Sequence, residues 1–304
     1  MVNNKKLFDI FLFLNEFDLL ELRFEILDTI VDYFVITEVN ETFSGKPKPL
    51  IFKKNILRYK KFQKKIIYNP ITQKELKLLR EPKWSQYVSN LEKSIPYKHN
   101  GRKPINLHKS LKREISHRDA SILGIYKIAK SEDYILISDL DEIPNPKAIK
   151  EALKSKISKP YYFKMDWFLY WINNKVSNPW FGTVLCKFKN IKGKSIDNLR
   201  YASCKEDKLP GPIIKNGGWH FSYLGGIEAI LFKLKSHPFQ GYRVLISIIL
   251  DKLKIRSLRE RVTNNKDIFF QNRNFSIVKI DNSFPKEIKK DTKFIKKYSF
   301  NNKN

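Results

Sequence analysis

Tyr134-Ile135-Leu136-Ile137-Ser138-Asp139-Leu140-Asp141-Glu142-Ile143-Pro144 is the stretch on which the reading of this chain turns. A short, wholly apolar run is what the centre of a parallel sheet requires, because both of its faces are covered. Asp139 and Asp141 then lie where the chain leaves that strand, at the edge where open α/β sheets bind ligands. Two carboxylates one residue apart can converge on one hard cation. Mg²⁺ or Mn²⁺ takes one or two carboxylates plus phosphate oxygens. Such an ion neutralises charge developing on a leaving diphosphate. Glu142 supplies a third carboxylate. The plainer alternative is that Asp139 or Glu142 caps the helix beginning near Pro146. Phosphatases of the haloacid dehalogenase type also end a strand in Asp-x-Asp. Their pattern usually continues to a Thr or Val and lies near the N-terminus in many members, whereas this one is mid-chain.

Outward from that strand, the pattern alternates between strands and helices. Leu7 to Phe13 reads as a buried first strand, and Leu19, Leu22, Phe24, Ile26, Leu27 and Ile30 give an apolar helix face over about 18–30. Tyr33–Glu38 is a second strand and Ile66–Tyr68 a third, and a helix is expected over about 107–130. The residues from about 72 to 104 read as an irregular insertion over the site. Tyr161 to Ile172 reads as one or two aromatic strands, and Val184 to Phe188 as another. Gly217 to Gly226 reads as a glycine-bracketed loop, followed by a helix over about 227–236. Strands alternating with helices imply a mostly parallel, doubly wound α/β sheet. A catalytic unit over 1–240 and a basic helical extension over 241–304, packed on or tethered to it, are expected.

The 304 residues are 42% hydrophobic, with 22 Phe, 14 Tyr and 5 Trp, too aromatic for a solvated, unfolded chain. The net charge of +28 attracts anionic partners: nucleic acid, lipid headgroups or glycans. No zinc spacing, ribonucleoprotein motif or helix-turn-helix signal accompanies that charge, so no specific nucleic acid partner is expected. A non-catalytic nucleic-acid- or polyanion-binding protein is the alternative reading. Lys46 to Lys65 carries nine Lys or Arg and no acid, and the tail is also basic. The first reads equally as a solvated basic face or as a lipid or phosphate contact, and both could dock on anionic lipid. Cys186 and Cys204 form no CxxC or zinc spacing and read as two buried thiols, with a disulfide between them as the alternative; free thiols suit a reducing cytoplasm. Acidic and amide residues break or flank the apolar stretch Leu7–Leu14, so it is read neither as a signal peptide nor as a membrane span.

Four motifs in order carry a resemblance. They are Phe34–Glu38 with Thr42–Leu50; Arg113-Glu114 with His117-Arg118-Asp119; Ser138–Pro144; and Gly218-Trp219-His220-Phe221-Ser222-Tyr223. Together the chain resembles glycosyltransferase family 17 from about residue 7 to about 240. That family includes the β-1,4-N-acetylglucosaminyltransferase that adds bisecting N-acetylglucosamine to glycoproteins. The resemblance implies a GT-A-type fold with a Rossmann-like sheet flanked by helices, an inverting mechanism and a UDP-GlcNAc donor. The animal enzyme's N-terminal membrane anchor has no counterpart in the reading of this sequence. A cytoplasmic protein, peripheral on the inner membrane surface and acting on a glycan or lipid-linked glycan, is therefore expected.

Residue roles follow. Glu38, Gly45, Lys46, Arg113, Arg118, Asp139 and Lys233 are candidates for holding the nucleotide-sugar donor, with His237 beside Lys233. Arg118 offers a fork to phosphate or to a metal-site carboxylate. Asp139, Asp141 and His220 are the candidate ligands of Mn²⁺ or Mg²⁺. Inversion needs a carboxylate base. Asp166 and Glu142 are the leading candidates, and Glu206, Asp207 and Glu228 the others. Trp167, Tyr170 and Trp171 offer aromatic faces to an acceptor sugar.

Overall fold

A computed structural model describes residues 5–78, 109–191, 195–200, 206–236, 249, 258–269 and 271–301. The first strand, β1 (Leu7–Leu12), leads through helix α1 (Phe17–Leu27) to β2 (Tyr33–Val39). A long 3₁₀ segment, Lys53–Lys65, leads to β3 (Ile66–Ile71). Helix α2 (Lys109–Asp119) and a 3₁₀ turn, Ala120–Gly124, precede β4 (Tyr134–Ile137), which has the bounds expected from its apolar run. β1 pairs in parallel with both β2 and β4, and β2 pairs in parallel with β3. The carboxyl ends of these strands therefore share one edge, where Asp139 and Asp141 leave β4.

After β4 the sheet changes character. β5 (Glu142–Pro144) and helix α3 (Pro146–Lys154) lead to β6 (Tyr161–Leu169), β7 (Asn174–Val176) and β8 (Trp180–Lys187). Then come β9 (Ile213–Ser222), helix α4 (Gly226–Ser236) and β10 (Phe275–Ile277). The order is β10-β7-β6-β8-β4-β1-β2-β3, with β9 between β5 and β6. β8 runs antiparallel to β4 and to β6, so the parallel arrangement expected from the alternation holds for the β3-β2-β1-β4 half and gives way beyond it. A four-residue strand records whether it is buried, not the direction of its neighbour.

Gly217 to Ser222, expected as a loop, belongs to β9. It pairs in parallel with β6 and antiparallel with β5. Gly218 has φ +138°, and a Cβ there would meet the Ile143 carbonyl oxygen at 2.2 Å. The glycines admit a strand squeezed between two others rather than breaking one.

The two sheet faces bury separate cores. Leu7, Phe11, Phe34, Ile36 and Leu136 pack against α1, α3 and the C-terminal Phe284, Ile288, Phe294 and Tyr298. Phe8, Ile10, Val35, Ile135 and Ile137 pack on the other face with Ile122, Ile125, Val184 and Cys186. The described part of 241–304 is thus not only helical. It adds β10 to the sheet edge and side chains to the first core. Cys204, His237, residues 79–104 of the expected insertion and the first two residues of the helix expected over about 107–130 lie outside the described residues.

Candidate active site

β1 alternates between the two cores, and residues 7, 9 and 11 face α1. At the middle of these stands Asp9, fully buried. Arg23 of α1, also fully buried, meets it with Nε and Nη2 donating to its carboxylate oxygens at 2.8 and 2.6 Å. The same guanidinium reaches past β1 to the acidic turn. Nη2 donates to Ser138 Oγ at 2.6 Å, and Nη1 to the carbonyl oxygens of Asp139, Leu140 and Glu142 at 3.1, 3.1 and 2.8 Å. Leu140, between the two aspartates, is buried in the first core. The turn is therefore held by its backbone and its middle residue, leaving the flanking carboxylates available for chemistry. Arg23 lies three residues after Leu20 and four before Leu27, so a lone arginine on a buried helix face, opposite a lone Asp in a buried strand, was the signal for this pair.

Asp139 is met by two guanidinium groups. Arg118 donates to both its oxygens at 3.1–3.2 Å, and Arg200 Nη1 donates to Oδ1 at 3.0 Å. Burial opposes ionisation of this carboxyl, but Arg118 and Arg200 outweigh it and hold it well below the usual carboxylate range. Arg118 also pairs with Glu114 at 2.6 Å and Asp197 at 2.9 Å. Arg200 comes from an irregular stretch with no motif, and sequence reasoning had no signal for it.

Asp141 sits 2.7 Å from Lys233 Nζ through Oδ2 and 3.5 Å from His220 Nε2 through Oδ1. Burial again opposes its charge, and Lys233 and His220 overcome it, so its carboxyl is also held very low. Lys233 is in turn kept charged, against its burial, by Asp141 and by Glu16 at 3.0 Å. Glu16, just before α1, is a member of the site that the sequence reading did not single out. His220 reaches Asp141 because β9 pairs with β5, placing His220 opposite Glu142. Its ring lies 6.1 Å from Trp167 and 4.5 Å from Trp180. Its Nδ1 and the Trp167 Nε1 are buried with no hydrogen-bond partner among the described residues.

The geometry at Asp141 fits a divalent ion in a limited way. Two ligand atoms at about 2.1 Å from one ion stand about 3.0–3.4 Å apart. The 3.5 Å between Asp141 Oδ1 and His220 Nε2 is close to that spacing and long for a hydrogen bond. The carboxylate suits Mn²⁺ or Mg²⁺, whereas an imidazole is the more usual ligand of Zn²⁺, Fe or Ni²⁺. Among the described residues no group of three or more His, Cys, Asp or Glu converges. The remaining positions would fall to oxygens of the substrate and water, as is usual for Mg²⁺-type sites.

The other expected residues are dispersed. Glu142 is fully buried, and its oxygens accept from Trp180 Nε1 at 2.7 Å, from Arg200 Nη2 at 2.7 and 2.8 Å and from the Asp139 amide at 2.9 Å. It braces the turn and has no oxygen open to a substrate hydroxyl. Asp166 follows the strand alternation onto the face opposite Trp167 and pairs with Lys175 at 2.7 Å. Glu206 pairs with Lys164 and Glu228 with Arg259, both at exposed positions, and Asp207 is exposed. Glu38 is buried, accepting from the amides of Ile51 and Phe52, from Lys48 and from Tyr68, so it anchors the loop after β2. Gly45, at φ +85°, lies directly under the Arg113 guanidinium. Lys46 is exposed, and its backbone closes a turn with Thr42. Ser44 N donates to the Ser236 carbonyl at 3.2 Å, which brings this loop to the end of α4, the helix of Lys233. Of the three aromatic candidates, Trp167 borders the site. Tyr170 is core, with its hydroxyl accepting from the Ile268 amide, and Trp171 packs near Phe300.

Residues 1–90 match the family model for glycosyltransferase family 17, in agreement with the resemblance read from the motifs. The matched part holds β1, α1, β2 and β3, hence Asp9, Glu16, Arg23, Glu38 and Gly45. No curated protein matches the chain. The family match supports glycosyl transfer as the activity, which implies a nucleotide-sugar donor and a glycan acceptor in general terms. No helix among the described residues is long and apolar enough to cross a membrane.

Proposed function

We propose that this protein is a GT-A-type, inverting, metal-dependent glycosyltransferase that moves a sugar, N-acetylglucosamine from UDP-GlcNAc in the first instance, onto a glycan or lipid-linked glycan. The observation that carries this reading is the meeting of Asp141, His220 and Lys233 at the carboxyl edge of the parallel strands, 2.7–3.5 Å apart. Asp141 and His220 would hold Mn²⁺ or Mg²⁺, which when bound neutralises charge developing on the leaving diphosphate.

The chain's own residues do the rest of the work. Lys233 presents a partly buried ammonium beside Asp141, where it would meet a phosphate oxygen. Asp139, kept ionised by Arg118 and Arg200, offers an acceptor to donor hydroxyls, and the two guanidinium groups flank it with positive charge. Trp167 supplies an aromatic wall beside His220, and its unpartnered Nε1 is a donor for a sugar oxygen. The base that accepts the proton of the acceptor hydroxyl is a carboxylate other than Glu142 or Asp166, whose surroundings suit bracing and a surface ion pair.

Thermal denaturation with UDP, with and without Mn²⁺, tests this reading. Ligand at 100 times its dissociation constant stabilises the fold by about 2.7 kcal/mol. The expected result is a stabilisation by UDP that grows with Mn²⁺. A melting curve unmoved by any nucleoside diphosphate, with and without metal, overturns it.

A further inference from the structure

Two lysine-rich segments, Lys53–Lys65 and Lys286–Tyr298, lie far apart in sequence and meet on one face of the sheet. Phe52, Tyr59 and Phe62 beside the first, and Ile288, Phe294 and Tyr298 of the second, share the core that holds α1. Asp18, in the first turn of α1, ties them together. It accepts from Arg58 Nη2 at 2.5 Å, from Lys297 Nζ at 2.7 Å and from Tyr298 Oη at 2.5 Å. Of the nearby acids, Glu21 pairs with Arg58 and Asp28, just after α1, with Lys65, while exposed Glu25 makes no ion pair among the described residues and lies near Lys61 and the acids Glu287 and Asp291.

That neutralisation leaves the outer lysines unmatched. Lys53, Lys54, Lys60, Lys64, Lys290 and Lys293 are exposed and make no ion pair among the described residues. Leu57 stands among the first group with 77% of its surface in water, the most exposed of the large hydrophobic residues described. The opposite face offers less: Ile128 is exposed there beside Lys127 and Lys130, a pair of lysines rather than two lysine-rich segments, and Glu132 nearby is taken up by Lys187 and Lys189.

We propose that the face built from Lys53–Lys65 and Lys286–Tyr298 docks on a bilayer carrying anionic phospholipid. Ammonium groups on long stems reach phosphate headgroups while their methylenes lie along the interface. An exposed leucine among them gains by entering the acyl boundary, a gain that a nucleic acid or a soluble polyanion does not offer. The inference concerns binding alone and is independent of the reaction proposed above.

Vesicle sedimentation of the full chain decides it, using phosphatidylcholine alone and phosphatidylcholine with phosphatidylglycerol. Binding is expected only with the anionic lipid. Each lysine near the surface contributes about fivefold in partitioning, so Lys53→Ala with Lys60→Ala should weaken binding about 25-fold. Leu57→Asp should also weaken it, although every lysine remains. Lys127→Ala with Lys130→Ala, on the opposite face, should leave it unchanged. All these positions are exposed, and unchanged melting curves confirm that the variants fold. The proposal fails if anionic vesicles do not bind or if the two lysine pairs cause equal losses. It also fails if Leu57→Asp has no effect while duplex DNA displaces the vesicles, which would identify a general polyanion surface.

Discussion

Replacing Arg23 by Met removes one guanidinium and strands several groups at once. Asp9 becomes a buried carboxylate without its partner, and Ser138 Oγ and three carbonyl oxygens of the acidic turn lose a donor. Breaking one side of a buried ion pair costs about 3–5 kcal/mol, because the remaining charge is uncompensated. That is a large fraction of a total stability of about 5–15 kcal/mol. At a urea slope of about 2–3 kcal/mol/M, the midpoint should fall by about 1–2 M with the slope itself unchanged. Asp9→Leu should cost a similar amount. In the double variant no charge is left buried, so its cost should fall short of the sum by about 2–3 kcal/mol. It should still lie below the wild type, since the turn carbonyls remain without their donor. A loss of under about 1 kcal/mol for Arg23→Met, or simple additivity of the two changes, refutes the claim that this pair holds the turn.

Three further outcomes are expected. His220→Ala should abolish the Mn²⁺-dependent part of the UDP-induced stabilisation while leaving a metal-independent part carried by Lys233; a full Mn²⁺ response in the variant excludes His220 as a ligand. Gly218→Ala should destabilise by at least about 2 kcal/mol in chemical denaturation, because its φ and the Ile143 carbonyl oxygen both exclude a side chain; a neutral effect would mean that β9 can shift away from β5. Asp119 is pushed up to about 7 by burial and by Asp197 beside it. A carboxyl raised in the folded state stabilises the fold while protonated, and that contribution is lost as pH rises from the unfolded value near 4 toward about 7. Asp119→Asn, which can still accept from Ser195 Oγ and the Asp197 amide, should therefore gain on the wild type across that window in melts at stepped pH. A constant difference between the two proteins contradicts the shift.

Local pattern was enough for much of the framework. The apolar runs of β1, β2 and β4 gave their positions, because a strand covered on both faces has no polar option. The acidic triplet located the edge of the sheet, and the motifs that carried the resemblance marked Arg118 and His220, which the fold brings to Asp139 and Asp141. Lys233, singled out only by its place after the glycine-rich stretch, pairs with Asp141 at 2.7 Å. What pattern did not convey was the use of each carboxylate. Glu38, Glu142 and Asp166 look alike as acids near apolar strands. Their different fates follow from the neighbours that the fold brings: backbone amides for Glu38, Arg200 and Trp180 for Glu142, and Lys175 for Asp166.

The sequence by itself determined that a buried strand ends in Asp139-Leu140-Asp141, since periodicity and charge are local properties. Only the tertiary structure decided that Arg23 ties the turn to β1 and that Gly217 and Gly218 belong to a strand delivering His220. The same holds for the meeting of two distant lysine segments at Asp18. Each of these depends on contacts between residues remote along the chain, and no local pattern encodes which remote partner a side chain meets.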